Sequence, residues 1–287
     1  MWVQAGSTTG LDGNAAGDGA TRAFGARFSA CRPDWFGGAL RCVRRDGFAI
    51  VEDVLSRDML DRTRNAMYRV HERILAEVGA QRLAQAGELG ALALMLRYDA
   101  HFYSLLELDD VLAIVDASLS STAVLHVQNG LIAPPAGGPF GTPSPAMLRR
   151  DFPHHLDGYV ASLTTVLAIG DLTTENGAPL LVPGSHREEQ APGLERMLDA
   201  AVPAVAPAGS MIVLDSGLWH VPGTNRSGHD RLSVTQQFTR SFIQPQVDYM
   251  RALGDEMVRR RDQRTQQLLG RYTRAATSVD ECYPPGS

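Results

Sequence analysis

The triplet His155-Leu156-Asp157 sets an imidazole and a carboxylate two residues apart. On a strand, residues i and i+2 face one side, so both groups can reach one divalent metal ion. His220, in the run Asp215-Ser216-Gly217-Leu218-Trp219-His220, follows 63 residues after Asp157 and lies behind another strand-like segment. Two imidazoles and one carboxylate on one face of an ion, with the other positions open, are the donor set of non-haem Fe(II) sites that activate O2. Arg231-Leu232-Ser233 stands eleven residues beyond His220. A guanidinium and a hydroxyl on one strand face can grip a carboxylate through charge-assisted hydrogen bonds, and 2-oxoglutarate carries such a carboxylate at its end remote from a chelated metal. Gln128 and Asn129 precede a Pro-rich loop, and alternation along a strand turns one of these amides toward the pocket. The expected metal-binding and catalytic set is therefore His155, Asp157 and His220. The expected cofactor-binding set is Arg231, Ser233, Gln128 and Asn129. H-x-D alone means little, and the conjunction with a distal histidine and R-x-S carries the reading.

Elements of two kinds must position these groups. Residues 1–33 include GSTTGLDGNAAGDGA, without periodicity, and are expected to be a flexible tail. They lack a charged n-region and an apolar h-region, so no secretory signal is expected and a cytoplasmic protein follows as the default. Residues 34–287 are expected to form a single domain with a helical N-terminal half, a β-rich core and a helical C-terminal tail. Gly47–Leu55 reads as a strand and a turn. Ser56 can cap the next helix, with Asp58 in its first turn. Met59, Leu60, Met67, Val70, Ile74, Leu75 and Val78 then recur at helical spacing. Further helical stretches are expected at Leu89–Leu96 and Asp109–Asp116, and again from Val247 to Arg274. From Thr122 to Pro245 short apolar runs alternate with Gly, Pro and Asn. Ala123–Val127, Thr164–Ile169, Pro179–Val182, Met211–Leu214 and Leu232–Phe238 are strand candidates, a pattern of closed or sandwiched β architecture. Pro134–Pro145 is expected to be a loop at the mouth of the site.

Composition narrows the function. The chain has 287 residues, 44% of them hydrophobic, and a net charge of −5. A surface of that sign does not favour a nucleic-acid backbone. No apolar run reaches the roughly 20 residues of a spanning helix. Three cysteines, Cys31, Cys42 and Cys282, point neither to a disulfide framework nor to a thiolate zinc site. All 27 basic residues are arginine, which removes lysine Schiff-base and P-loop chemistry.

Three segments make the sequence resemble the phytanoyl-CoA dioxygenase family of Fe(II)/2-oxoglutarate oxygenases. They are Arg45-Asp46-Gly47-Phe48 with the strand after it, Glu175-Asn176-Gly177-Ala178-Pro179-Leu180-Leu181-Val182-Pro183-Gly184-Ser185-His186, and Asp215 through Arg231 (DSGLWHVPGTNRSGHDR). The likeness covers roughly residues 40–250. It implies an α+β chain with a mainly β core, a double-stranded β-helix of the jelly-roll, cupin-like kind, buttressed by helices. It implies His220 as the distal metal ligand and Arg231 as the 2-oxoglutarate arginine. It further implies an enzyme using Fe(II), 2-oxoglutarate and O2 to oxidise, by default to hydroxylate, a small-molecule substrate. A tailoring role in bacterial secondary metabolism fits this reading. A metal-free relative that keeps the barrel as a binding or isomerising pocket is the alternative.

One departure separates those readings. Many members write the first two ligands as Leu-His-Arg-Asp followed by an apolar residue and Pro. Leu148-Arg149-Arg150-Asp151-Phe152-Pro153 resembles that motif, with Arg149 where the histidine belongs. A guanidinium stays protonated and is no iron ligand. The competing register uses His155 and Asp157. Both are open, and the expectation adopts His155 because it keeps the rest of the site meaningful. Asn225 is expected to brace the loop after His220, His186 to sit in a turn, and His154 to point away from the metal. His126 can either line the pocket or pack in the sheet.

Overall fold

The computed structural model describes residues 27–135 and 148–283. Among the described residues, ten strands form two sheets. They are β1 (Arg27–Ser29), β2 (Phe48–Glu52), β3 (Ala91–Leu92), β4 (Val124–Ala133), β5 (Ser162–Ala168), β6 (Leu180–Leu181), β7 (Val202–Pro203), β8 (Met211–Asp215), β9 (His220–Val221) and β10 (Arg231–Thr239). The larger sheet has the order β1-β2-β8-β5-β10-β4-β3, and the smaller the order β7-β6-β9. All pairings but β1 with β2 are antiparallel. The expected jelly-roll, cupin-like core with buttressing helices is what forms.

Strand alternation sorts β10 cleanly. Leu232, Val234 and Phe238 join Met67, Val70, Phe102 and Leu106 in the main core, between the large sheet and the helices. Arg231, Ser233, Thr235 and Gln237 therefore face the opposite side, toward the small sheet. Phe48, Ile50, Ile212 and Leu214 meet Leu181 and Leu218 there, in a second, smaller core between the sheets. Apolar side chains close one end of the barrel, and the polar side chains of β5 and β10 line the other.

The helices follow their sequence signals. Helix α1 (Trp35–Asp46) ends at Gly47, whose φ of 88° is left-handed and suits glycine. A Cβ there would lie 2.5 Å from Leu218 and 2.6 Å from His186, so the turn also needs the missing side chain. Helix α2 (Arg57–Val78) starts where Ser56 Oγ accepts the Met59 N–H at 3.2 Å, and Asp58 lies in its first turn. It buries Thr63, Ala66, Met67, Val70 and Ile74 at helical spacing.

Two expectations change. Residues 27–33, assigned to the tail, are ordered: β1 pairs in parallel with β2, and Arg27 donates to Glu52. Residues 1–26 lie outside the described residues, as does the expected mouth loop from 136 to 147. The stretch Leu89–Leu96 is not one helix, because Ala91 and Leu92 pair with Leu131 and Gly130 as an edge strand before a short helix at Met95–Tyr98. Among the described residues no helix is long and apolar enough to cross a membrane.

Candidate active site

The strand pairing that organises the site is an isolated antiparallel bridge between Arg149 and His220. Arg149 N–H donates to His220 O at 3.0 Å, and His220 N–H donates to Arg149 O at 2.9 Å. Directly paired antiparallel residues present their side chains on one face, and the bend at Asp151, two residues beyond Arg149, brings its carboxylate to the same histidine. Asp151 Oδ1 lies 3.6 Å from His220 Nε2.

Each member of the Asp151–His220 pair is held from behind. Nδ1 of His220 lies 3.0 Å from Leu218 O, a contact that places a proton on Nδ1 and fixes the ring with Nε2 turned toward Asp151. Thr164 Oγ1 donates to Asp151 Oδ2 at 2.9 Å. Behind Thr164 runs a chain of buried polar groups. Gln237 Nε2 donates to Ser162 Oγ (3.0 Å), Ser162 to Ser216 Oγ (2.8 Å), and Ser216 pairs with Thr164 Oγ1 (2.9 Å). Gln237 Nε2 also reaches Asp151 O at 3.1 Å, and Phe152 N–H donates to Ser216 O at 2.8 Å. These bonds leave Oδ1 of Asp151 facing Nε2 across a gap too long for a hydrogen bond.

Among the described residues His155 and Asp157 do not gather with His220 into a three-donor group. Residues 151–160 form bends and a turn rather than a strand, so the i, i+2 rule does not govern them. The His155 N–H donates to Glu189 Oε2 at 2.7 Å, and its Nδ1 lies 3.2 Å from His186 O. Asp157 is exposed. Both line a separate cavity of about 340 Å³ with Phe152, His154, His186 and Asp215. Burial pushes the Asp215 carboxyl up and the His186 imidazole down. His186 sits in a short 3-10 turn, its Nε2 against Arg44 O at 3.3 Å. Among the described residues, no three His, Cys, Asp or Glu side chains gather on one point.

Arg231, at the start of β10, is a buried cation. Arg231 and Ser233 are both buried and share the interior face of β10. Arg231 Nη1 reaches only two carbonyls, Asn176 O and Gly223 O, each at 3.4 Å, and among the described residues no carboxylate pairs with it. Burial alone draws its pKa below the usual guanidinium value. A buried charge without a counter-charge is costly, and an anionic ligand removes that cost.

The motif residues around Arg231 are scaffolding. Asn225 Nδ2 donates to Ala133 O (2.9 Å) and His229 O (2.7 Å), tying the loop after His220 to the end of β4 as expected. Ser185 of the Pro-Gly-Ser-His run accepts the Trp219 N–H at 3.0 Å and donates to Val182 O at 2.6 Å, which anchors the residue before His220. Gly177 and Gly223 touch backbone to backbone: a Cβ on Gly223 would lie 2.3 Å from Gly177 O. Gly223→Ala must therefore part the two loops whose carbonyls face Arg231. We expect it to lower stability by about 1–3 kcal/mol and to weaken anion binding at Arg231. Chemical denaturation and ligand-induced melting shifts measure the two effects.

Of the two amides, Asn129 pairs with Thr235 and faces the interior. Gln128 faces the helices, where its Nε2 donates to Phe102 O at 3.2 Å and its N–H to Tyr249 Oη at 2.8 Å, which corrects its expected cofactor role. The register of β10 on β4 shifts between Gln237 and Phe238, leaving His126 as the extra residue of a bulge. His126 Nδ1 is buried with no partner, and Asp151 is the charge that acts on it. Sequence reasoning left His126 undecided because a bulge breaks the alternation. Thr164, Ser216 and Gln237 carry no motif signal and were missed.

A model of the family described as phytanoyl-CoA dioxygenase matches residues 43–233. The uncharacterised protein Rv1501 of Mycobacterium tuberculosis is 52% identical over 249 residues, covering 86% of this chain and 90% of that protein. Among solved structures, a nickel complex of the non-haem monooxygenase ThoJ superposes with a TM-score of 0.58 at 18% identity, over 73% of this chain and 80% of that one. The non-haem α-ketoglutarate-dependent epimerase SnoN, from nogalamycin biosynthesis, gives 0.56 at 19% identity, over 73% and 84%. These likenesses carry the fold, and the family match spans the bridge at Arg149, the pair Asp151–His220 and the buried Arg231. The chain belongs to the phytanoyl-CoA dioxygenase family of oxygenases.

Proposed function

We propose that the protein is an Fe(II)/2-oxoglutarate-dependent dioxygenase that hydroxylates a small molecule. The observation that carries this reading is the Asp151–His220 pair: a carboxylate oxygen faces an imidazole nitrogen at 3.6 Å, and both are fixed from behind. A carboxylate and an imidazole aimed at one gap are donors suited to a shared divalent ion, and we adopt this pair in place of His155 and Asp157. ThoJ, solved as a nickel complex, and SnoN, an α-ketoglutarate-dependent epimerase, support a metal site and a 2-oxo acid on this fold. The latter also supports a role in secondary metabolism.

Asp151 and His220 would hold the ion, and Arg231 with Ser233 the remote carboxylate of 2-oxoglutarate. Arg231 gains the counter-charge that its burial lacks. Asn129 on the interior face is placed to bond the cosubstrate or the substrate. Thr164 keeps one Asp151 oxygen engaged, so the other stays aimed at the gap. Bound iron supplies O2 activation: O2 and 2-oxoglutarate yield succinate and CO2, and the second oxygen atom enters a substrate C–H bond as hydroxyl. A carboxylate at residue 151 disfavours halogenation, which needs that coordination place for chloride.

Anaerobic addition of Fe(II) and 2-oxoglutarate should produce a visible metal-to-ligand charge-transfer band, and air should then release succinate. Absence of both refutes this reading. One observation favours the metal-free alternative: Arg149 stands beside the pair, where a second imidazole would complete three ligands. In that case calorimetry detects a dicarboxylate binding at Arg231 while metal analysis finds no iron.

A further inference from the structure

The separate cavity of about 340 Å³ lies between two chain segments that are fixed by their own bonds. One is the turn Leu156–Tyr159, where the Tyr159 N–H donates to Leu156 O at 3.0 Å and Gly158 is left-handed at φ 67°. The Tyr159 ring lines the cavity and is pinned. The Arg240 guanidinium lies 4.3 Å from its centroid, while Arg240 Nε donates to Val160 O at 2.8 Å. The other segment is the end of α1. There Arg44 O accepts from Arg187 Nη2 at 2.8 Å and faces His186 Nε2 at 3.3 Å.

These bonds hold Arg44 by its backbone and leave its guanidinium without an acidic partner. Among the described residues neither Arg44 nor Arg187 forms an ion pair, although the chain carries a net charge of −5 and the adjacent Arg45 pairs with Asp46 at 2.6 Å. Two carboxylates also line the cavity. Asp215 Oδ1 accepts the Gly217 N–H at 2.8 Å, and the imidazoles of His186 and His155 act on its charge from within the wall. Asp157 is exposed. The wall therefore sets two unpaired guanidiniums against one solvated carboxylate.

We propose that this cavity binds a small organic anion, with a carboxylate or phosphate group on Arg44 and Arg187 and a flat apolar body against Tyr159 and Phe152. A guanidinium takes either oxyanion through paired N–H bonds, and the volume is at the small end of ligand pockets. The proposal goes beyond the oxygenase reading: it requires neither a metal ion nor 2-oxoglutarate, and it concerns a site apart from Arg231.

Isothermal titration calorimetry of the full chain with benzoate, phenyl phosphate and benzylamine tests it. At least one of the two anions should bind, the tighter one naming the oxyanion, and benzylamine should bind at least ten-fold more weakly. Arg44→Gln should weaken the anion about ten-fold, the effect of losing a hydrogen bond to a charged group, and Tyr159→Ala should weaken it as well. Arg231→Met should leave it within about three-fold of wild type. Circular dichroism confirms that each variant is folded. The proposal is overturned if neither anion binds, if benzylamine binds as tightly, if Arg44→Gln leaves the affinity unchanged, or if Arg231→Met removes the binding. Failure of the dioxygenase reading is seen separately, as absence of succinate from a wild type that still binds the anion.

Discussion

Arg231→Met is expected to make the ligand-free protein more stable and blind to 2-oxoglutarate. In the ligand-free state the guanidinium is buried, bonded only to Asn176 O and Gly223 O at 3.4 Å, and has no acidic partner among the described residues. Replacing desolvated charge with apolar volume is often neutral or stabilising by about 1–4 kcal/mol. Methionine fills much of the arginine's length and is flexible enough to pack against the carbonyls' neighbours. The bound state behaves oppositely. Removing one partner of a buried charge pair costs about 2–5 kcal/mol, which corresponds to roughly 30- to several-thousand-fold in affinity. Thermal melts with and without 2-oxoglutarate read both effects on one sample. The wild type should gain stability with ligand, and the variant should melt higher than ligand-free wild type and not respond. A variant still stabilised by 2-oxoglutarate would place the dicarboxylate elsewhere.

Asp151→Asn should abolish cation-dependent turnover, while His155→Ala and Asp157→Ala retain it within about three-fold. Asparagine can still accept the Thr164 hydrogen bond at one oxygen, so the pocket's polar chain survives while the charge that attracts the ion is lost. With only two protein donors in reach, deleting one should reduce cation affinity by at least the ~10–100-fold seen for weaker outer-shell losses. His155 and Asp157 line another cavity and touch His186 O or solvent. Succinate formation and metal content across the three variants discriminate the assignments. Retention in Asp151→Asn with loss in His155→Ala would restore His155-Leu156-Asp157 as the ligand pair.

The contrast between these two sets shows where reading residues in order works. The Asn176-Gly177 turn, the Pro183–His186 run, His220 and Arg231 are each defined by local chemistry. A turn needs an amide side chain and a glycine, and a distal loop needs Asn225 to tie it down. Such signals survive in one dimension. The Ser56 cap and the spacing of Met67, Val70 and Ile74 were legible for the same reason: helix geometry is local. Gln128 and Asn129 were legible as a pair but not individually, since strand phase depends on what the helices cover. His126 was not, because its bulge is a property of two strands in register.

The family resemblance, the jelly-roll class and the pairing of Arg231 with Ser233 on one strand can all be inferred from the order of residues, because apolar alternation, turn chemistry and an arginine two residues from a serine are properties of short segments. Which aspartate meets His220 cannot be inferred that way. Asp151 and Asp157 lie six positions apart, and both follow a basic or imidazole side chain two residues earlier. A backbone ladder between Arg149 and His220, residues 71 positions apart, selects Asp151. Hydrogen bonds between distant strands set that register, and a chain has no distant strands until it is folded.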